Sequence, residues 1–297
     1  MCGIVGLYLK TPRLEDELGR MAALMLHEMR DRGPDSAGFA VYDRGGNRAK
    51  ITVMSPSETD WNALEKALAA GPAADVRLRI VGDHAVIETE ADAGAVRRWL
   101  LDNRPDLTTL SGGRSIEIYK GVGDPDGVAE RYGLAARRGS HAIAHTRMAT
   151  ESAVTIAGSH PFSTGMDTCL VHNGSLSNHN GLRRDLRRAG ERFQTENDSE
   201  VAAGYLAHRM SEGESLKSAL EHALDDLDGF FTFAVGTATG FAVLRDPVAC
   251  KPAVIAETDD WVAMSSEFRA IARLPGVEHA EVWEPEPGIV YSWEQAA

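Results

Sequence analysis

The chain opens Met1-Cys2-Gly3-Ile4-Val5-Gly6-Leu7-Tyr8-Leu9, and its second residue governs how the remainder is read. An initiator methionine followed by a small residue is a common substrate for removal. Removal leaves Cys2 first, with a thiol and a free α-amine on one residue. An α-amine with an ordinary pKa of about 7.7–8.0 accepts a proton near neutral pH. It therefore serves a neighbouring thiol as general base, as a histidine does elsewhere. The competing reading makes Cys2 a small residue at the head of a buried strand, because Ile4, Val5, Leu7 and Leu9 form one. The opening stretch alone leaves both readings open.

Composition narrows the class. With 297 residues and a hydrophobic fraction of 43%, the chain can build one large domain or two modest ones around a sizeable core. Its 31 basic and 44 acidic residues give a net charge of −13, which argues against nucleic acid or an anionic membrane as partner. The cluster Arg183-Arg184 with Arg187-Arg188 reads as the solvated face of a helix. No run approaches the roughly 20 apolar residues that cross a bilayer, and no signal-peptide pattern is present, so a cytoplasmic location is expected. Cys2, Cys169 and Cys250 are too few and too scattered for a disulfide framework or a Cys-x-x-Cys metal site. No metal is expected, and Cys169 and Cys250 read as small core residues.

Periodicity sets the elements. Thr11-Pro12 starts a helix in which Leu14, Leu18, Met21, Met25 and Met29 recur at helical spacing to about Arg30. A turn at Arg32-Gly33-Pro34-Asp35 leads into a strand through Phe39, Val41 and Tyr42. The Gly45-Gly46-Asn47 turn predicts a hairpin into Ile51-Thr52-Val53. The stretch over about 76–120 reads as a strand–helix–strand unit without candidate chemistry, an inserted module that decorates the core or docks a partner. Beyond it, strands are expected over 142–146, 168–172, 230–235, 241–244, 253–255 and 261–264. Helices are expected over 179–189, 198–210 and 215–224. Antiparallel strands with a few helices fit two sheets packed face to face with helices outside.

Three short runs carry candidate chemistry. His145-Thr146-Arg147 puts an arginine just after a strand, where its guanidinium either forks onto a substrate carboxylate or pairs with a local acid such as Glu151. His172-Asn173-Gly174 offers a side-chain amide and a glycine N–H as an oxyanion donor pair, or else an ordinary Asn-Gly turn. In Asn197-Asp198-Ser199-Glu200, Asp198 or Ser199 caps a helix, or Asp198 receives an α-ammonium group.

Together these blocks resemble the class II glutamine amidotransferases, enzymes that release ammonia from glutamine with an N-terminal nucleophile. The resemblance runs through Cys2-Gly3-Ile4-Val5-Gly6, Arg32-Gly33-Pro34-Asp35-Ser36-Ala37-Gly38, His145-Thr146-Arg147, His160-Pro161, His172-Asn173-Gly174 and Asn197-Asp198-Ser199-Glu200. It continues, in the family's order, through Asp228-Gly229-Phe230-Phe231, Arg245-Asp246-Pro247, Lys251-Pro252 and Ser265-Ser266-Glu267. Each block is weak alone, and their joint order is the signal. It covers nearly all of the chain except the 76–120 region. What it implies is an α+β fold, a four-layer αββα sandwich of the N-terminal-nucleophile hydrolase type, as one domain over 1–297 with an insertion at about 76–120. It also implies Cys2 as nucleophile with its own amine as base, and Asn173 and Gly174 as oxyanion holders. Arg147 and Asp198 grip the amino-acid end of glutamine, with Thr150 and His160 as further substrate-binding positions. Met148 departs from the aromatic residue of many members, and Glu151 from the histidine or glycine of several.

A narrower resemblance rests on Met148-Ala149-Thr150-Glu151-Ser152, on the run from Asn173 to Asn180, and on the long insertion. It points to the amidotransferase subunit of N-methylglutamate synthase, also called methylamine–glutamate N-methyltransferase. That resemblance implies glutamine or glutamate as substrate and no cofactor in this chain. Its implied partners are a glutamate-synthase-like β-helix subunit and an FMN-binding synthase subunit. A glutaminase subunit of a small glutamate synthase, a stand-alone amidase and a non-catalytic assembly subunit are the rival readings.

Overall fold

Alternation along the first strand, β1 (Gly3–Leu9), sets the layering. Ile4 and Tyr8 point to one side, and Val5, Leu7 and Leu9 to the other, each into a separate apolar core. The structure is a computed structural model and describes residues 2–148 and 154–294. Further strands are β2 (Ser36–Tyr42), β3 (Ala49–Met54), β4 (Arg77–Val81), β5 (His84–Thr89), β6 (Thr108–Gly113), β7 (Ile116–Val122) and β8 (His141–Arg147). They are followed by β9 (Cys169–Leu176), β10 (Gly229–Gly236), β11 (Gly240–Arg245), β12 (Val254–Glu257), β13 (Trp261–Ser265), β14 (Glu281–Trp283) and β15 (Val290–Glu294). The helices are α1 (Leu18–Glu28), α2 (Trp61–Ala70), α3 (Ala93–Asn103), α4 (Pro125–Arg131), α5 (His179–Arg188), α6 (Asp198–Ser211), α7 (Leu216–Asp226) and α8 (Phe268–Ile271).

Seven strands in the order β14-β12-β13-β1-β8-β2-β7 form one sheet, and β15-β11-β10-β9 form a second. Val5, Leu7 and Leu9 pack with Met21 and Met25 of α1, Val128 of α4 and Ile271 of α8. On the opposite side, Ile4, Ala40, Tyr42 and Ile143 meet Val171, Ala234, Phe241 and Val243 of the second sheet. That sheet's far side, with Leu170, Phe233 and Leu244, is covered by Leu186 of α5, Val201 and Leu206 of α6 and Leu220 of α7. The result is the αββα sandwich, closed where facing side chains interdigitate. Gly6 shows how tightly the sheets approach: a Cβ there would lie 2.6 Å from the Phe241 ring.

Several expectations are corrected. β2 does not form a hairpin with the strand after the Gly45-Gly46 turn. Its two edges pair antiparallel with β7 and β8, so β3 has no free edge there and instead pairs with β5 and β6. The strand–helix–strand unit over 76–120 is also larger and differently bounded. A satellite sheet, ordered β4-β5-β3-β6, starts at Ala49 and ends at Gly113, and Leu64 and Leu68 of α2 and Val96 and Leu100 of α3 close its core. β7 belongs to the large sheet, because Ile116 and Ile118 alternate towards the inter-sheet core. Among the cysteines, Cys169 is buried as expected, but Cys250 is exposed. The first helix begins as a 3-10 turn over Pro12–Glu17 before α1 takes over.

Candidate active site

Antiparallel pairing places the site. β1 starts where β8 ends, with Gly3 opposite Thr146 and Ile4 opposite His145. Cys2, one residue before β1, therefore lies beside the end of the strand that carries His145 and Arg147. The sandwich brings Asn173 and Gly174 of β9 across from them, and α6 presents its first turn to the same space. A cavity of about 310 Å³ results, lined by Cys2, Arg32, His145, Arg147, Met148, His160, His172, Asn173, Gly174, Asn197, Asp198, Ser199, Lys251 and Pro252. Its size lies at the low end for small-molecule sites, roughly 300–1,000 Å³.

The start of the chain is pinned from several sides. The carbonyl of Cys2 accepts from Arg32 Nε at 3.0 Å and from Asn173 Nδ2 at 3.2 Å. Arg32 is itself ion-paired with Glu267. Ile4 N–H donates to Ser266 Oγ at 2.9 Å, and the Ile4 carbonyl accepts from Ser265 Oγ at 3.1 Å. Burial pushes the Cys2 thiol up, but the His145 ring and the Met148 backbone outweigh it and bring the thiol down to about 7. Such a thiol is substantially thiolate at neutral pH, the reactive form.

Asn173 is buried, and its Oδ1 lies 3.0 Å from His145 Nε2. Gly174 has φ +153, and an added Cβ would sit 2.0 Å from the Phe230 carbonyl and 2.6 Å from His172 Nε2. Only glycine fits that backbone and leaves its face open. Asn197, not Asp198 or Ser199, caps α6: its side chain accepts from Ser199 N–H at 2.8 Å. Asp198 is left to face the cavity, with Oδ2 accepting from Leu176 N–H at 2.9 Å. Arg147 is nine-tenths buried at the end of β8. Thr150 and Glu151 lie outside the described residues.

His160 is buried in the cavity wall, with its ring stacked on His145 at 4.2 Å. Its Nδ1 accepts from His172 N–H at 3.1 Å. Burial, with His145 and His172 nearby, drives His160 well below the usual imidazole range, and burial brings His172 down to about 4. Both rings are therefore neutral at pH 7. Sequence reading assigned no role to Arg32, His145, His172 or Lys251. All four stand inside the quoted motifs, His145 and His172 beside the chosen Arg147 and Asn173, a signal that spacing alone does not convert into a contact. Among the described residues, no group of three or more His, Cys, Asp or Glu is arranged to hold a metal ion, and no helix is long and apolar enough to cross a membrane.

The chain is 56% identical over 298 residues to the "Glutamine amidotransferase-like protein GlxB" of Rhizobium meliloti, covering 99% of this chain and 98% of that protein. It belongs to the class II glutamine amidotransferase family. A "Putative glutamine amidotransferase" of Methanothermobacter thermautotrophicus is 33% identical, covering 99% of this chain and 100% of that one. The family model for the glutamine amidotransferase domain matches residues 145–273. Among solved structures, the glutamine phosphoribosylpyrophosphate amidotransferase of B. subtilis superposes with a TM-score of 0.64 at 21% identity. This chain is covered to 99% in that superposition and spans 47% of the phosphoribosylpyrophosphate enzyme. At that identity the likeness concerns the fold, and it agrees with the αββα layering.

Proposed function

We propose that this amidotransferase-family chain hydrolyses the side-chain amide of glutamine through a Cys2 thioester and passes the ammonia to a partner synthase subunit. One observation carries the reading: Cys2, Arg147, Asn173, Gly174 and Asp198, far apart in sequence, line a single small cavity. Arg147 forks onto the substrate α-carboxylate and Asp198 takes its α-ammonium. The amide carbon then lies at the sulfur, and Asn173 with the Gly174 N–H receives the oxyanion, a contribution of about 3–4 kcal/mol for such donors. Thr150 and His160 are the further substrate-binding positions of this reading, with His160 acting from beneath through His145. Water resolves the thioester and releases glutamate. The chain acts as one amidotransferase unit, with the satellite sheet as its inserted decoration.

The narrower assignment is to the amidotransferase subunit of an N-methylglutamate synthase, working in the cytoplasm with a β-helix subunit and an FMN-binding synthase subunit. It is supported by the run Met148–Ser152 and the run from Asn173 to Asn180. A small glutamate synthase is the alternative acceptor system.

The test has three parts. Intact-mass measurement of protein from the source cell is expected to show loss of one methionine. A glutamine-analogue electrophile is expected to label Cys2, and Cys2→Ala to abolish labelling while leaving the fold intact. Labelling at Cys169 or Cys250 instead would overturn the assignment of the nucleophile. Co-purification identifies the acceptor, and recovery without any synthase subunit counts against the narrower assignment.

A further inference from the structure

The direction of one amide fixes a proton. The Cys2 carbonyl can only accept, so the Asn173 group 3.2 Å away is its NH2. The same NH2 lies 3.3 Å from Ser266 Oγ. Asn173 Oδ1 therefore faces His145, and the Nε2 at 3.0 Å must carry a hydrogen to donate. In the neutral ring that leaves Nδ1 as a bare acceptor. Nδ1 is buried and meets no hydrogen-bond partner among the described residues. A buried polar atom without a partner costs about 1–3 kcal/mol, and its persistence calls for a use. Ile4 pairs with His145 across the β1–β8 ladder, and Cys2 stands two residues before Ile4 on the same face. Both side chains line the one cavity.

We propose that His145 is a proton acceptor for the Cys2 thiol, alongside the α-amine, and that it returns this proton to the leaving nitrogen. The fate of the proton rests on the glutaminase reading. The thiol proton moves to His145 Nδ1, and the sulfur bonds to the amide carbon. The carbon–nitrogen bond then breaks as the imidazolium protonates the nitrogen, giving thioester and ammonia. His145 is at the same time the support that keeps the Asn173 NH2 turned to the Cys2 carbonyl. The thiol's lowering towards neutrality, with His145 as the largest favourable cause after the opposing burial, agrees with this. The other groups around the pair are His160, His172, Arg32, Arg147, Asp198 and Lys251.

The experiment uses the full chain with an N-terminal tag, in which the Cys2 amine is locked in a peptide, beside the untagged chain. Cys2 alkylation by iodoacetamide is followed against pH by peptide mass spectrometry, which separates it from exposed Cys250. The tagged wild type is expected to react with an apparent pKa near neutrality. His145→Gln keeps a donor where Nε2 stands but holds no titrating nitrogen. It is expected to raise that pKa by about two units and slow alkylation at pH 7 roughly tenfold, after the greater nucleophilicity of a more basic thiolate is allowed for. An unchanged profile in a folded His145→Gln would overturn the proposal. Should that variant not fold, the tagged wild type decides by infrared titration. As pH rises, loss of the S–H stretch must come before loss of the imidazolium modes, so that thiolate and imidazolium coexist, and loss of the imidazolium modes first sinks the idea. Neither readout uses glutamine, so a failure here is distinct from a failure of the glutaminase reading.

Discussion

At the scale of single residues, the site holds Cys2, the proposed nucleophile, chiefly by its backbone. Arg32 and Asn173 both donate to the Cys2 carbonyl, while the sulfur reaches the Met148 carbonyl over a longer 3.8 Å. Asp198 tests the substrate end. Asp198→Asn keeps an oxygen for the Leu176 N–H but removes the charge. Losing a charge-assisted hydrogen bond of about 1.5–3 kcal/mol predicts a KM for glutamine raised roughly 10- to 150-fold with an unchanged melting transition. Steady-state kinetics and a thermal melt check it together. A KM that does not move would remove Asp198 from the substrate site. The motif residues themselves were legible in the sequence. The histidine column of His145, His160 and His172 was not, because stacking across two sheets has no linear period.

At the scale of elements, the satellite sheet is tied to the sandwich by apolar packing of Met54, Val86 and Leu110 and by polar contacts. Arg97 of α3 is buried and donates to the carbonyls of Thr164 and Ser163. Asp167 accepts from the N–H groups of Arg114 and Ser115 at 2.8 and 2.7 Å. Arg97→Ala leaves two carbonyls without their donor, so we expect a loss of about 2–3 kcal/mol in denaturant unfolding. Amide exchange should quicken in β3–β6, while glutamine turnover stays within about twofold because Arg97 does not reach the cavity. Equal protection in both proteins would show that the tether is dispensable. The helices α5, α6 and α7 lie where the sequence reading placed them, within two residues at each end. The bounds of the satellite were not, because a strand such as β7 alternates equally well for either sheet until its partner is known.

At the scale of the whole molecule, buried neutral histidines set an acid limit. His141 sits between the sheets, stacked on Tyr42 at 4.1 Å, with a ring nitrogen 2.9 Å from the Thr237 carbonyl. Burial, only partly offset by that carbonyl, brings it down to about 3. The folded chain then binds fewer protons than the unfolded one once pH drops below the ordinary imidazole value of about 6.5, so stability falls with pH. His141 alone predicts a loss of about 2 kcal/mol between pH 7 and pH 5, and His160 and His172 act in the same direction. Denaturant titrations at the two pH values measure it. Equal stability at pH 5 and 7 would mean that these rings find solvent or partners on protonation.

What this sequence determined by itself was local and ordered: a cysteine at position two, the periods of strands and helices, and the succession of short motifs that carries the family. Those signals survive in one dimension because side-chain alternation depends on neighbours within a few residues. Tertiary structure alone decided which nitrogen of His145 is bare, that Asn197 rather than Asp198 caps α6, and that β3 leaves its neighbour β2 for another sheet. Each of these depends on which edges and polar atoms are already occupied once distant segments have packed, and no local pattern of side chains records that occupancy.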